Sequence, residues 1–162
     1  MVKDSGARAT IPPFTDEHDD LRATIRRWVE TEILPHQDEW EERREFPRAL
    51  YTRAAELGFL GLKYPEELGG QVHDAVWAEE IAAAGISGGV GAGLGAHTGI
   101  ATPPVWSFGT DEQHERFLRP AIAGERIAAL GITEPGAGSD VASMRTRAAR
   151  VDGGWVVNGA KT

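Results

Sequence analysis

The 162-residue chain contains no cysteine. That excludes a disulfide framework, a thiolate metal site and a cysteine nucleophile. Basic residues are also scarce, with 17 Lys and Arg against 25 Asp and Glu and a net charge of -8. A chain of that sign repels phosphate backbones, which argues against nucleic-acid binding. The opening MVKDSGARATIPPF lacks the apolar core and small-residue cleavage site of a secretory signal, so a cytoplasmic location is expected. No repeat and no low-complexity tract is present. Glycine is what the chain has in excess: 20 residues, concentrated in two places. Hydrophobic content of 41% and charged content of 26% are those of a globular protein, and the length suits one domain or one domain and part of another.

The first glycine-rich place is Ile81–Thr110, which carries no Asp, Glu, Lys or Arg. Its length suggests a membrane span. Bulky apolar residues are sparse, however, Pro103 and Pro104 break the stretch, and its flanks are acidic (Glu79, Glu80, Asp111, Glu112), so a span is not expected. Gly91-Ala92-Gly93-Leu94-Gly95-Ala96 matches a shortened dinucleotide fingerprint. The match fails because the preceding WAEEIAAAG reads as helix, not strand. The expectation is a buried helix with an apolar row of Ile86, Val90 and Leu94. Gly91, Gly95 and Gly99 would let a neighbouring backbone or a ligand come close. His97 on this element reads as a hydrogen-bonded core residue, with a ligand role as the alternative.

Charge divides the chain. Residues 1–125 hold 12 basic and 22 acidic side chains, whereas residues 126–162 hold five and three. The first part reads as helices. Thr15 is a candidate N-cap, with Leu21, Ile25, Trp28 and Val29 forming one stripe that ends at Pro35. His36–Arg44 is a polar turn or two. Pro47 opens the next helix, Leu50, Ala54 and Leu57 face inward, and Gly58 stops it. A loop lies around Tyr64–Pro65 and Gly69–Gly70, and Asp74 starts a helix reaching about Gly85. Thr110 and Gln113 form a capping box for a helix expected to end before Pro120.

The second part changes period. Ile127–Ile132 reads as a short buried strand. Thr146–Val151 and Trp155–Val157 flank Asp152-Gly153-Gly154, a hairpin signal, and Asn158-Gly159 marks a second turn. Between them lies the second glycine-rich place, Leu130-Gly131-Ile132-Thr133-Glu134-Pro135-Gly136-Ala137-Gly138-Ser139-Asp140. A strand running into a Pro/Gly loop bares backbone N–H groups that suit an anion such as phosphate. The other reading of the same residues is a plain strand-to-turn connection.

Ile132–Asp140, with the later G-x-W-x-x-N-G-x-K at residues 153–161, resembles the acyl-CoA dehydrogenases. The resemblance extends through KYPEELGGQ and GAHTGIATPPVWSFGTDEQHERFLRP and covers about 150 of the 162 residues. Its wording is most similar to the long-chain and isovaleryl-like branches. It implies a mainly α fold: an all-α N-terminal domain over residues 1–125, then the first strands of an incomplete β-barrel-like middle domain over 126–162. It also implies FAD, an acyl-CoA thioester oxidised to the trans-2-enoyl-CoA, an electron-transfer flavoprotein as acceptor, and a homo-oligomer. Carried over, Leu130, Ile132 and Thr133 would line the flavin, with Gly138 and Ser139 by its pyrophosphate. Ser139 would also touch the acyl-CoA. Glu134 would be a structural carboxylate, not the proton acceptor. Arg145, Arg147 and Arg150 would form a solvated face or reach CoA phosphates. The family's second flavin segment and catalytic Glu fall beyond Thr162, so residues 1–162 by themselves are expected to be inactive. The alternatives are a related flavoprotein of nitroalkane-oxidase or flavin-monooxygenase chemistry, and a non-catalytic helical interaction module.

Overall fold

The computed structural model describes residues 14–64, 71–86 and 88–162. The opening segment and the loop expected at Pro65 and Gly69–Gly70 lie outside the described residues. The fold is mainly helical with one two-stranded sheet. The chain divides into two compact units, Met1–Ala128 and Ala129–Thr162.

In the first unit, α1 spans Asp16–Trp28 and widens into a π turn at Val29–Ile33 before Pro35. Thr15 begins it in extended conformation, and its backbone N–H donates to His18 Nδ1 at 3.1 Å. Asp16, Glu17 and Asp19 in the first turn complement the helix dipole. The predicted stripe is the inward face: Ile25, Trp28 and Val29 are buried, with Leu21 packed at their edge. The polar α2 (Gln37–Arg43) has no fully buried residue, though Trp40 packs partly buried against the core. In α3 (Ala49–Glu56), Leu50, Tyr51 and Ala54 face the core. Gly58 follows at φ 79, a left-handed conformation that glycine adopts without steric cost. A 3-10 turn, Phe59–Gly61, leads toward α4 (Gln71–Ala83), which starts three residues before the expected Asp74.

The core is organised by three aromatic rings. Trp28 lies 5.3 Å from Phe59 and 5.8 Å from Trp77, and Phe59 lies 5.0 Å from Trp77. Burying each such side chain contributes about 1.5–3 kcal/mol. One edge of the α1–α4 contact is ionic. Arg22 donates to Glu80 Oε1 at 2.9 Å, Arg26 donates to both Glu80 oxygens at 2.5 and 2.9 Å, and Arg22 also meets Glu79 at 2.6 Å. Burial pushes the Glu80 carboxyl up, but the two guanidiniums outweigh it and hold the group below its ordinary value.

The uncharged stretch differs from the single helix expected. After α4 the chain turns, then forms α5 (Gly88–Gly95), a π segment at Ala96–Ala101, and α6 (Pro103–Phe108). The fingerprint-like glycines therefore lie within a helix. Val90 and Leu94 are buried, and Ile86 sits partly buried ahead of the helix. Close approach occurs at Gly93, not at the expected Gly91, Gly95 and Gly99. A Cβ on Gly93 would lie 2.7 Å from Phe46 Cζ; at Gly95 and Gly99 it would meet nothing, and at Gly91 only ordinary contacts. The reason is phase: residues 90, 93, 94 and 97 form the inward i, i+3, i+4, i+7 face.

His97 completes that face at 1% exposure. The Ala128 N–H donates to its Nδ1 at 2.9 Å, so Nδ1 is unprotonated and Nε2–H donates to the Ala121 carbonyl at 3.1 Å. Both nitrogens are engaged, and burial lowers the imidazole pKa. The core reading holds.

Thr110 and Gln113 form the reciprocal cap predicted, opening α7 (Asp111–Gln113). The helix does not end before Pro120. It passes through a π segment, His114–Leu118, into α8 (Arg119–Ile122) with the proline in its first turn. There the missing N–H costs little, and the wider turn ahead of it gives the ring room. In the second unit, β1 (Arg147–Val151) and β2 (Gly154–Asn158) pair antiparallel, with Val151 opposite Gly154 around Asp152-Gly153. Among the described residues, no helix is long and apolar enough to cross a membrane.

Gly93→Ala is expected to cost about 1–3 kcal/mol through overpacking against Phe46. Gly95→Ala is expected to be neutral or to stabilise by up to about 1 kcal/mol through helix propensity. Denaturant unfolding of the two variants checks this, and the reverse order would contradict the packing described.

Candidate functional site

Residues 127–132 form no strand among the described residues, and Leu130 and Ile132 are 47% and 39% exposed. The buried strand expected there is corrected to an exposed segment outside any strand. A ladder needs a partner chain, and this segment has one only at its far end. The Thr162 N–H donates to the Thr133 carbonyl at 3.0 Å, and Lys161 Nζ donates to the Ile132 carbonyl at 2.8 Å.

The bend itself is tight. The Glu134 N–H donates to Ala137 O at 2.9 Å and the Ala137 N–H returns to Glu134 O at 3.0 Å, closing a two-residue turn of Pro135 and Gly136. Glu134 and Ala137 are buried, while Thr133, Pro135, Gly136, Gly138 and Ser139 are exposed. Thr133 and Gly138 flank the bridged pair in sequence, followed by Ile132 and Ser139. Leu130 stands two residues back along the same segment. The backbone N–H groups of Gly138 and Ser139 donate to no acceptor among the described residues.

Glu134 fixes this geometry from beneath. Its Oε2 accepts the Arg145 N–H at 2.7 Å. Its Oε1 accepts the Thr146 N–H at 3.0 Å and Lys161 Nζ at 3.0 Å. The Arg145 amide, then Thr146 and the Lys161 ammonium, hold the carboxyl well below the usual range, at about 2. A group so acidic and so fully engaged is a poor proton acceptor. The structural role expected of Glu134 is the one its contacts support. Arg145, Arg147 and Arg150 are exposed. Sequence reading passed over Lys161 as a functional residue, although its placement three positions after Asn158, past a glycine turn, was visible.

The exposed groups beside Glu134 have the chemistry that a flat, largely apolar group with a phosphate tail needs. Leu130 and Ile132 offer exposed apolar surface, Thr133 a hydroxyl, and Gly138 and Ser139 free amides. A Cβ at Gly136 or Gly138 would meet nothing, so a ligand can approach the backbone there. FAD has both parts, and the residues present fit it.

The sequence and fold can be set beside known proteins. Residues 15–125 match the acyl-CoA dehydrogenase N-terminal domain, and residues 129–162 match the acyl-CoA dehydrogenase middle domain. With both regions matched in order, the chain belongs to the acyl-CoA dehydrogenase family. It is 37% identical over 153 residues to the long-chain specific mitochondrial acyl-CoA dehydrogenase of mouse, covering 91% of this chain and 35% of that protein. A probable acyl-CoA dehydrogenase of Mycobacterium abscessus is 50% identical, with a TM-score of 0.83 over 91% of this chain and 40% of its own. An acyl-CoA dehydrogenase of Bacillus anthracis, solved in complex with FAD, is 37% identical with a TM-score of 0.81, covering 94% of this chain and 27% of that one. The chain thus spans well under half the length of these relatives.

Glu134 gives the site a defined acid response. Its folded pKa lies below the unfolded value, so its stabilisation is complete above about pH 4.5 and lost as pH falls toward about 2. The Arg145 and Thr146 amide resonances are expected to titrate together with a midpoint near 2, and Glu134→Gln to abolish that step. A midpoint at 4 or above would contradict the contacts described.

Proposed function

We propose that the protein is an FAD-dependent acyl-CoA dehydrogenase, and that Leu130, Ile132, Thr133, Gly138 and Ser139 form its contribution to the cofactor site. The reaction is α,β-dehydrogenation of an acyl-CoA thioester to the trans-2-enoyl-CoA. The observation that carries this reading is the carboxylate-locked bend: two exposed apolar residues, a hydroxyl and two free amides in sequence on one turn, within a chain of this family. FAD bound there supplies the hydride acceptor. Leu130 and Ile132 cover the ring system and exclude water from it. Thr133 orients it with its hydroxyl. The Gly138 and Ser139 amides hold phosphate oxygens, and the Ser139 hydroxyl meets the acyl-CoA.

Glu134 is not the base that removes the α-proton, because its oxygens are already taken by two amides and an ammonium. In this reading the base is supplied by polypeptide outside residues 1–162, consistent with relatives more than twice this length. Residues 126–162 act as the opening of the middle domain, and residues 1–125 as the helical domain. A homo-oligomer, an electron-transfer flavoprotein acceptor and a cytoplasmic location complete the proposal.

The test is direct. The full-length protein should purify yellow, bleach anaerobically with an acyl-CoA, and form enoyl-CoA with an artificial electron acceptor. Ser139→Ala should weaken acyl-CoA binding by roughly 3- to 10-fold, the effect of one lost hydrogen bond, and leave FAD binding unchanged. A colourless protein that does not take up FAD would remove the reading. A yellow protein that no acyl-CoA bleaches would keep the cofactor and discard the reaction.

A further inference from the structure

The proposed cofactor site is not held by its own turn alone. Its arm, residues 130–133, has no strand neighbour until the chain returns from β2 and lays Lys161 and Thr162 beside it. Lys161 is the point of attachment. Its ammonium donates to the Ile132 carbonyl at 2.8 Å and to Glu134 Oε1 at 3.0 Å, and approaches Met144 Sδ at 3.5 Å. One cation therefore spans the arm, the turn and the segment entering β1.

The return path is narrow. At Gly159 a Cβ would collide with the Thr146 side chain and lie 2.7 Å from Thr146 Cα. Only a residue without a side chain can pass there and still bring Lys161 back. Thr146 is also one of the two residues whose amides meet Glu134. The crossing at Gly159 and the carboxylate lock are thus built on the same residue.

We propose that Lys161 is a positioning residue for flavin binding: through the Ile132 carbonyl and Glu134 it fixes the spacing between the Leu130–Thr133 arm and the Gly138–Ser139 amides, with Gly159 as the passage that delivers it. This rests on the proposed function, since the ligand is the FAD assigned there. Lys161 acts through the backbone of Ile132 and through Glu134. It carries out no step of the reaction.

The test uses full-length protein carrying Lys161→Met, Lys161→Arg or Gly159→Ala. FAD affinity is read by flavin fluorescence, the bound flavin by its absorption maxima, and the bend by amide hydrogen exchange in the apoprotein. Lys161→Met is expected to weaken FAD binding by about tenfold, the loss of one charge-assisted hydrogen bond. It should also shift the bound-flavin absorption and speed exchange at Ala137 and Thr162 while leaving α1 and α4 unchanged. Lys161→Arg should restore affinity to within about threefold, and Gly159→Ala should behave like Lys161→Met. Normal affinity, an unchanged spectrum and unchanged exchange in Lys161→Met would overturn the role, as would weakened binding with an unaltered spectrum and no rescue by arginine. Wild-type protein that binds no FAD would instead defeat the proposed function. Exchange at Ala137 and Thr162 would then decide by itself whether Lys161 holds the bend.

Discussion

The second unit is organised around one negative charge whose solvation the backbone has taken over. Glu134 is buried to 8% exposure, yet its carboxylate gives up water for two amides and an ammonium. Charge-assisted hydrogen bonds of this kind are about twice as strong as neutral ones. They also tie together residues 11, 12 and 27 positions away in sequence. A single two-stranded hairpin is marginal by itself, and the carboxylate ties the bend to the segment that enters β1. The same engagement that makes Glu134 an organiser removes it from acid–base chemistry, so its place beside the bend is structural.

The helical unit solves a different problem with a related device. Three aromatic rings give α1 and α4 their apolar contact, but rings alone tolerate slippage along a helix face. The Arg22, Arg26 and Glu80 group adds direction, because two guanidiniums meet one carboxylate in a fixed fork. Exchanging a buried ion group for apolar residues of similar volume is often neutral or stabilising. Its value here lies in registering one helix against the other.

Much of this was legible from the chain alone. Local signals worked where the physics is local: the Thr110–Gln113 cap, the glycine stop at Gly58, the Asp152-Gly153 turn, and the stripe through Ile25 and Trp28. The motif at Ile132–Asp140 and the later Asn-Gly-x-Lys identified the family, and the family is what the comparisons show. Three readings failed for identifiable reasons. Gly91, Gly95 and Gly99 were expected to admit a close neighbour, whereas the inward face is set by Val90 and Leu94 and selects Gly93. Pro120 was read as a stop without knowledge of the π turn that accommodates it. Ile127–Ile132 has strand composition, but a strand is a pair property, and its pairing begins only at the last residues. Arg22–Glu80 was invisible because the partners lie 58 positions apart and nothing in either neighbourhood announces the other.

The backbone that follows α8 is closely held within the helical unit. At Gly124 (φ 71) a Cβ would sit 2.7 Å from the Tyr51 carbonyl, Arg48 donates to the Glu125 carbonyl at 2.7 Å, and the Ala128 amide is held by His97. Within five residues the backbone packs closely on Tyr51 and makes two hydrogen bonds, to Arg48 just ahead of α3 and to His97 in the π segment after α5. The last of these bonds is accepted by an imidazole nitrogen that must stay unprotonated, so a proton taken up at His97 Nδ1 removes it.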